Sequence, residues 1–125
     1  MTASLAPYHA HIYYSPDERA RAERLRDDFL TNAEILFVGQ MTDRGVGPHP
    51  IPQYEVHFLE RSRSDVIDAI AESGLRALVH PLTSDDVADH TTLAHWIGDP
   101  LALDTRVLDP PGHNQGIPRF GKSDF

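Results

Sequence analysis

Between Tyr8 and Pro81 the apolar pattern of this chain switches twice from a period of two residues to a spacing of three and four, and back again. Tyr8-His9-Ala10-His11-Ile12-Tyr13-Tyr14 alternates as a strand. Ser15-Pro16-Asp17-Glu18 then supplies a capping serine, a proline at the first helical position and a glutamate at the third, so a helix is expected there. Ala22, Leu25, Phe29 and Ala33 form its apolar stripe. Glu34 to Met41, rich in Ile35, Leu36, Phe37 and Val38, reads as a second strand that is apolar on both faces. Gln53 to Leu59 places Tyr54, Val56 and Phe58 on one side and Glu55 and His57 on the other, a half-buried third strand. Ser62-Arg63-Ser64-Asp65 opens a second helix with Val66, Ile67, Ile70 and Ala71 inward and Gly74 at its left-handed end. Arg76 to His80 is a fourth strand, stopped by Pro81.

This order predicts an α+β, ferredoxin-like βαββαβ arrangement, with both helices on one sheet face and the first strand central between the third and fourth. The length of 125 residues suits one domain. Thr83-Ser84-Asp85-Asp86 starts an additional C-terminal helix, expected to run through His90 and Trp96 to Gly98, with Trp96 in the core. From about Asp109 the chain reads as an irregular tail, or as an arm that wraps a partner. Gly45 to Pro52 carries three prolines and two glycines and is expected to be a rigid loop presenting His49.

A net charge of −8 argues against a phosphate-backbone partner, which needs clustered Lys and Arg. No apolar run is long enough for a bilayer, and the amino terminus lacks the basic start and apolar centre of a secretory signal, so a cytoplasmic, membrane-free protein is expected. The absence of Cys rules out thiolate ligands and nucleophiles, leaving imidazole and carboxylate to hold any metal. The eight histidines are then the informative residues.

His9, His11 and Tyr13 share one face of the first strand, and two histidines so spaced lie roughly 7 Å apart at the backbone, within reach of one ion. Alone, such a pair is more often solvated. In the expected strand order the same face also collects Glu55, His57 and His80, so His9, His11 and His80 are expected to converge on a metal. Glu55 and His57 read equally well as a solvated pair, His95 and His113 as surface residues, and His90 as a hydrogen-bonded core histidine. Arg44, beside the Gly-Pro loop, has the planar fork that pairs a carboxylate.

Tyr8-His9-Ala10-His11-Ile12-Tyr13-Tyr14, Gly47-Pro48-His49-Pro50, His80-Pro81-Leu82-Thr83 and Asp89-His90-Thr91 together resemble the bacterial and fungal DOPA 4,5-dioxygenase family. The likeness runs through Leu101-Ala102-Leu103-Asp104 and leaves out both ends. It implies a small, often oligomeric, metal-dependent enzyme that opens a catechol ring with O₂ beside its two hydroxyls. By these motifs His9, His11, His49, His80 and His90 carry over as ligands or acid and base groups, without settling which of them touch metal. The working assignment is therefore His9, His11 and His80 as ligands of Fe(II), with Zn or another divalent ion as substitute, and His49 and His90 as acid and base. Tyr13 and Arg44 are the candidates for holding a carboxylated catechol such as DOPA, and a homodimer or larger homo-oligomer is expected because an open sheet face needs cover. The competing reading is a noncatalytic ferredoxin-like dimer that binds a small molecule or a metal.

Overall fold

The computed structural model describes residues 5–123. β1 (Pro7–Tyr13), α1 (Arg19–Leu30), β2 (Phe37–Val38), β3 (Gln53–Leu59), α2 (Arg63–Ser73), β4 (Ala77–Pro81), α3 (Asp86–His90) and β5 (His95–Ile97) follow in chain order. The sheet is ordered β2-β3-β1-β4-β5, with every neighbouring pair antiparallel. The fold is the expected ferredoxin-like α+β arrangement, with β1 between β3 and β4.

Alternation divides the sheet into two chemically different faces. Ala10, Ile12 and Tyr14, with Tyr54, Val56 and Phe58 and with Ala77 and Val79, pack against Ala22, Leu25 and Phe29 of α1 and Val66 and Ile70 of α2. Both helices therefore cover one face. Burying each of the larger of these side chains contributes about 1.5–3 kcal/mol. The opposite face carries His9, His11 and Tyr13 of β1, Gln53, Glu55 and His57 of β3, and His80 of β4. Register aligns His9 with His57 on one side and His80 on the other, and His11 with Glu55.

Several local expectations shift. The capping-box residues make a 3-10 turn over Pro16–Glu18, in which Glu18 Oε1 accepts from the Ser15 N–H at 3.0 Å, and the α-helix begins after it. α1 stops at Leu30, so Ala33 is exposed; Ala71 of α2 is exposed as well, while Gly74 takes the expected left-handed conformation at φ 77. β2 is two residues rather than the run from Glu34 to Met41. The N–H groups of Leu36, Gly39 and Thr42 donate to the carbonyls of His57, Glu55 and Gln53, so each three-residue step along this edge meets two residues of β3. One extra residue per step is a repeated bulge, which breaks regular pairing without detaching the edge.

The C-terminal helix also departs from expectation, ending at His90 instead of running through Trp96. Two β-branched residues, Thr91 and Thr92, follow, and the Thr91 hydroxyl turns back to the Val87 carbonyl at 2.6 Å. Beyond them His95–Ile97 pairs with the outer edge of β4, satisfying a row of backbone groups that would otherwise stand open. Trp96 thus leaves the helix-side core and stacks near Tyr13 at 6.0 Å on the histidine face.

That face is covered from within the chain. The Gly47-Pro48-His49-Pro50 loop turns over it through paired Val46 and His49 backbone bonds, and the tail returns over α3. The Gly112 N–H reaches the Ser84 carbonyl at 2.7 Å, and Asn114 Nδ2 donates to the Thr83 carbonyl at 2.7 Å and to Asp89 Oδ2 at 2.9 Å. An uncovered sheet face therefore no longer calls for a partner. Among the described residues no helix is long and apolar enough to cross a membrane.

Candidate metal centre

Six of the eight histidines are buried, each at 8% exposure or less: His9, His11, His49, His57, His80 and His90. Three come from β1 and β4, one from the Gly-Pro loop and one from α3, while His57 stands on β3, on the other side of β1. His95 and His113 are exposed, as expected. Ring centroids lie 4.1 Å apart for His11 and His49, 4.2 Å for His80 and His90, and 5.2 Å for His11 and His80. One nitrogen from each of His9, His11 and His80 falls within 4.8 Å of the others, and the same holds for His11, His49 and His90. The five histidines singled out in the sequence do come together.

The hydrogen bonds of these rings decide which nitrogens carry protons. His11 Nδ1 faces Gln53 Oε1 at 3.0 Å, and His80 Nδ1 faces the Pro81 carbonyl at 2.8 Å. Both partners only accept, so both Nδ1 atoms must carry the hydrogen, and in a neutral ring the Nε2 atoms then present lone pairs. Those two Nε2 atoms are 3.1 Å apart. Two lone pairs at that distance repel unless a cation lies between them. Nitrogens each bound about 2.0–2.1 Å from one ion are themselves about 3 Å apart. The donor set, its spacing and its tautomers all fit a divalent metal. His9 Nε2 is a third buried nitrogen, with no hydrogen-bond partner among the described residues.

His57 is different. Its Nδ1 accepts the Gly121 N–H at 2.9 Å, so the neutral ring keeps its hydrogen on Nε2, 3.5 Å from Glu55 Oε1. A group of His9, Glu55 and His57 also satisfies the distances for a metal. The His57 tautomer opposes that grouping, as does the stacking of the His9 and His57 rings at 3.7 Å and 8°, because parallel rings do not aim their lone pairs at one point.

Burial first, then the neighbouring imidazoles, pull His9, His11, His49 and His80 well below the ordinary histidine range. They are neutral at pH 7, the form that ligates or accepts a proton. At His90 burial also opposes the charge, but the Asp86 carboxylate outweighs it and raises the group. His90 Nδ1 lies 2.8 Å from the Asp86 carbonyl and 3.4 Å from its carboxylate. The Tyr13 hydroxyl lies 2.7 Å from His49 Nδ1, and burial raises the Tyr13 phenol, so it keeps its proton. A phenol oxygen accepts as well as donates, so a His49 that donates from Nδ1 to the Tyr13 oxygen keeps its lone pair on Nε2.

A cavity of about 190 Å³ opens on His9, His11, His80 and His90, with Asp86, Gln115 and Arg119 in its wall. Arg44 is not brought to it. That side chain is exposed and lines a different cavity, of about 670 Å³, along the bulged β2 edge. Sequence reasoning missed Gln53, which strand parity alone places beside Glu55 and His57, and Asp86, four residues before His90 on the same helix. The tail residues carried no such signal.

Residues 8–107 match the Dopa 4,5-dioxygenase family. The chain belongs to this family. It is 28% identical to the DOPA 4,5-dioxygenase of Amanita muscaria, over 86% of this chain and 52% of that protein. It is 29% identical to an uncharacterized 21.2 kDa protein of Botryotinia fuckeliana, over 81% of this chain and 62% of the relative. The chain thus spans between half and two thirds of the length of these curated relatives. The crystal structure of a candidate dioxygenase from Nostoc punctiforme superposes with a TM-score of 0.77 at 35% identity, covering 86% of this chain and 94% of that one.

Proposed function

We propose that this family member opens the ring of a catechol with O₂, beside the two hydroxyls, at a divalent metal held by His11, His80 and His9, with Fe(II) as the working ion. The observation that carries the reading is the pair of hydrogen-free Nε2 atoms of His11 and His80, 3.1 Å apart in a buried site. Family membership supplies the reaction class; the relatives are distant and longer, so catechol as substrate belongs to this proposal. When bound, the metal supplies a Lewis-acidic centre with open positions for a catecholate and O₂.

The chain's own residues supply the proton handling. His49, neutral and steadied by Tyr13 and by prolines on both sides, takes the catechol hydroxyl proton as general base. His90, raised by Asp86, holds a proton and returns it to the opened product. In the balanced reaction the ring C–C bond next to the hydroxyl-bearing pair breaks. Both oxygen atoms enter the product, one giving a carboxylate and the other an aldehyde or ketone, and no external reductant is consumed. The cavity of about 190 Å³ is of a size for one substituted ring, and the Gly-Pro loop and the tail form part of its wall.

The test is anaerobic loading with Fe(II), followed by O₂ consumption against a panel of catechols. One O₂ taken up per catechol with loss of the aromatic absorption is expected. A protein that binds no metal, or one that binds metal and leaves every catechol intact, would defeat the reading, the latter in favour of a noncatalytic metal-binding module.

A further inference from the structure

We infer that the C-terminal segment beyond the family match is part of the scaffold of the metal centre, and that Gly121 and Phe120 are positioning residues for His9, acting through His57 and Glu55. This rests on the reading of His9 as a ligand. The family match ends at residue 107, yet the tail is pinned across the histidine face by Asn114, whose amide bonds the Thr83 carbonyl and the buried Asp89 carboxylate. From that anchor the chain makes a 3-10 turn over Ile117–Arg119 and delivers two groups to the sheet. The Phe120 ring lies nearly parallel to those of His57 and His9, at 5.6 Å and 6.2 Å with interplanar angles of 13° and 12°. The Gly121 N–H reaches His57 Nδ1 at 2.9 Å.

A backbone N–H can only donate, so Gly121 fixes the hydrogen of a neutral His57 on Nε2, facing Glu55 Oε1 at 3.5 Å. Glu55 then stands between two imidazoles, its Oε2 3.9 Å from His9 Nδ1. A carboxylate facing Nδ1 favours the His9 tautomer with hydrogen on that atom, which leaves the lone pair on Nε2. Carboxylates set behind ligating histidines in this way orient the ring and raise its basicity. The first link is a hydrogen bond and the other two are electrostatic contacts: Gly121 sets His57, the His57 Nε2–H faces Glu55, and the Glu55 carboxylate biases His9. Gly121 stands at φ 82, where glycine is favoured, and a Cβ added there meets nothing within 4 Å. An alanine there meets no atom but is strained at that φ, so it keeps the donor on a stressed backbone, whereas proline, fixed at a φ of about −65°, removes the donor and redirects the chain.

The experiment compares the full chain with Gly121→Ala, Gly121→Pro, Phe120→Ala and a chain ending at Arg119, with folding checked by circular dichroism. Long-range ¹H–¹⁵N spectra of the metal-free proteins read the histidine tautomers, and titration with Zn²⁺ reads affinity. The full chain is expected to hold His57 in the single Nε2–H tautomer, and Gly121→Ala, strained but still a donor, to keep more of it than Gly121→Pro. Gly121→Pro and the shortened chain are expected to lose that tautomer and about 10–100-fold in Zn²⁺ affinity, with Phe120→Ala in between. Unchanged tautomer and affinity in a folded Gly121→Pro or Phe120→Ala protein would overturn the inference, and so would a full chain whose His57 carries its proton on Nδ1. If the shortened chain does not fold, the point variants decide. A full chain that binds no Zn²⁺ at all would instead defeat the metal reading.

Discussion

Acid should unfold the metal-free protein well before its carboxylates titrate. His9, His11, His49 and His80 are buried, and their imidazoles are pulled well below the ordinary range by burial and by one another, so they stay neutral in the fold as pH falls. In the unfolded chain each takes up a proton near pH 6.5. For a histidine depressed in the fold, the unfolded state binds more protons below that value, so stability is present above it and is lost as pH drops. Between about pH 7.5 and 5.5 one such group removes about 1.4 kcal/mol, and four together about 5–6 kcal/mol if all remain neutral in the fold. His90, raised by Asp86 against the effect of its burial, acts in the opposite sense and returns part of this at low pH. The net loss approaches the whole stability of an ordinary domain, about 5–15 kcal/mol. Urea denaturation of the metal-free protein at the two pH values measures it directly, and saturating Zn²⁺ should restore much of the loss at the lower pH. A difference below about 1.5 kcal/mol, the share of one histidine, would mean that the imidazoles are not held neutral in a dry site.

His11→Ala and His80→Ala should each abolish stoichiometric metal binding, as measured by elemental analysis of the folded protein. His49→Ala should keep the metal and lose roughly a hundredfold or more in ring opening, whereas loss of the metal would make His49 a ligand. Ile70→Ala, beneath the helix-covered face, should cost about 2–5 kcal/mol in urea denaturation without changing the metal content of the folded fraction. Asn114→Ala removes one donor from the buried Asp89 and should cost about 1–3 kcal/mol; no measurable change would show that the tail is not anchored there.

The sheet was legible because its pattern is redundant. Tyr8 to Tyr14 and Gln53 to Leu59 alternate over seven residues each, and a one-residue slip would have driven His9, His11 and His57 into the helix side. Where only composition was available, the reading drifted. The apolar run from Glu34 to Met41 has the residues of a strand, but its hydrogen bonds advance three residues for every two of β3, and composition carries no register. His95-Trp96-Ile97 follows a clear helix start, and β4 recruits it as an edge strand because an open ladder outweighs a weak helical preference.

At the centre, the sequence located the histidines but could not rank them, because the ranking depends on hydrogens set by residues far away in the chain. His11 is made a donor of lone pairs by Gln53, 42 residues on. His80 is given the same state by the carbonyl of the proline beside it. His57 shares their face and their burial, yet a backbone N–H 64 residues away gives it the opposite tautomer. Three histidines of equal appearance in the sequence therefore divide into two that present lone pairs to a common point and one that presents a hydrogen to Glu55. It follows that replacing a ligand's partner should be felt at the metal almost as strongly as replacing the ligand. Gln53→Leu, which leaves His11 free to move its hydrogen to Nε2, is the sharpest case, because it removes no atom from the candidate ligand set and alters only which nitrogen of His11 bears the lone pair.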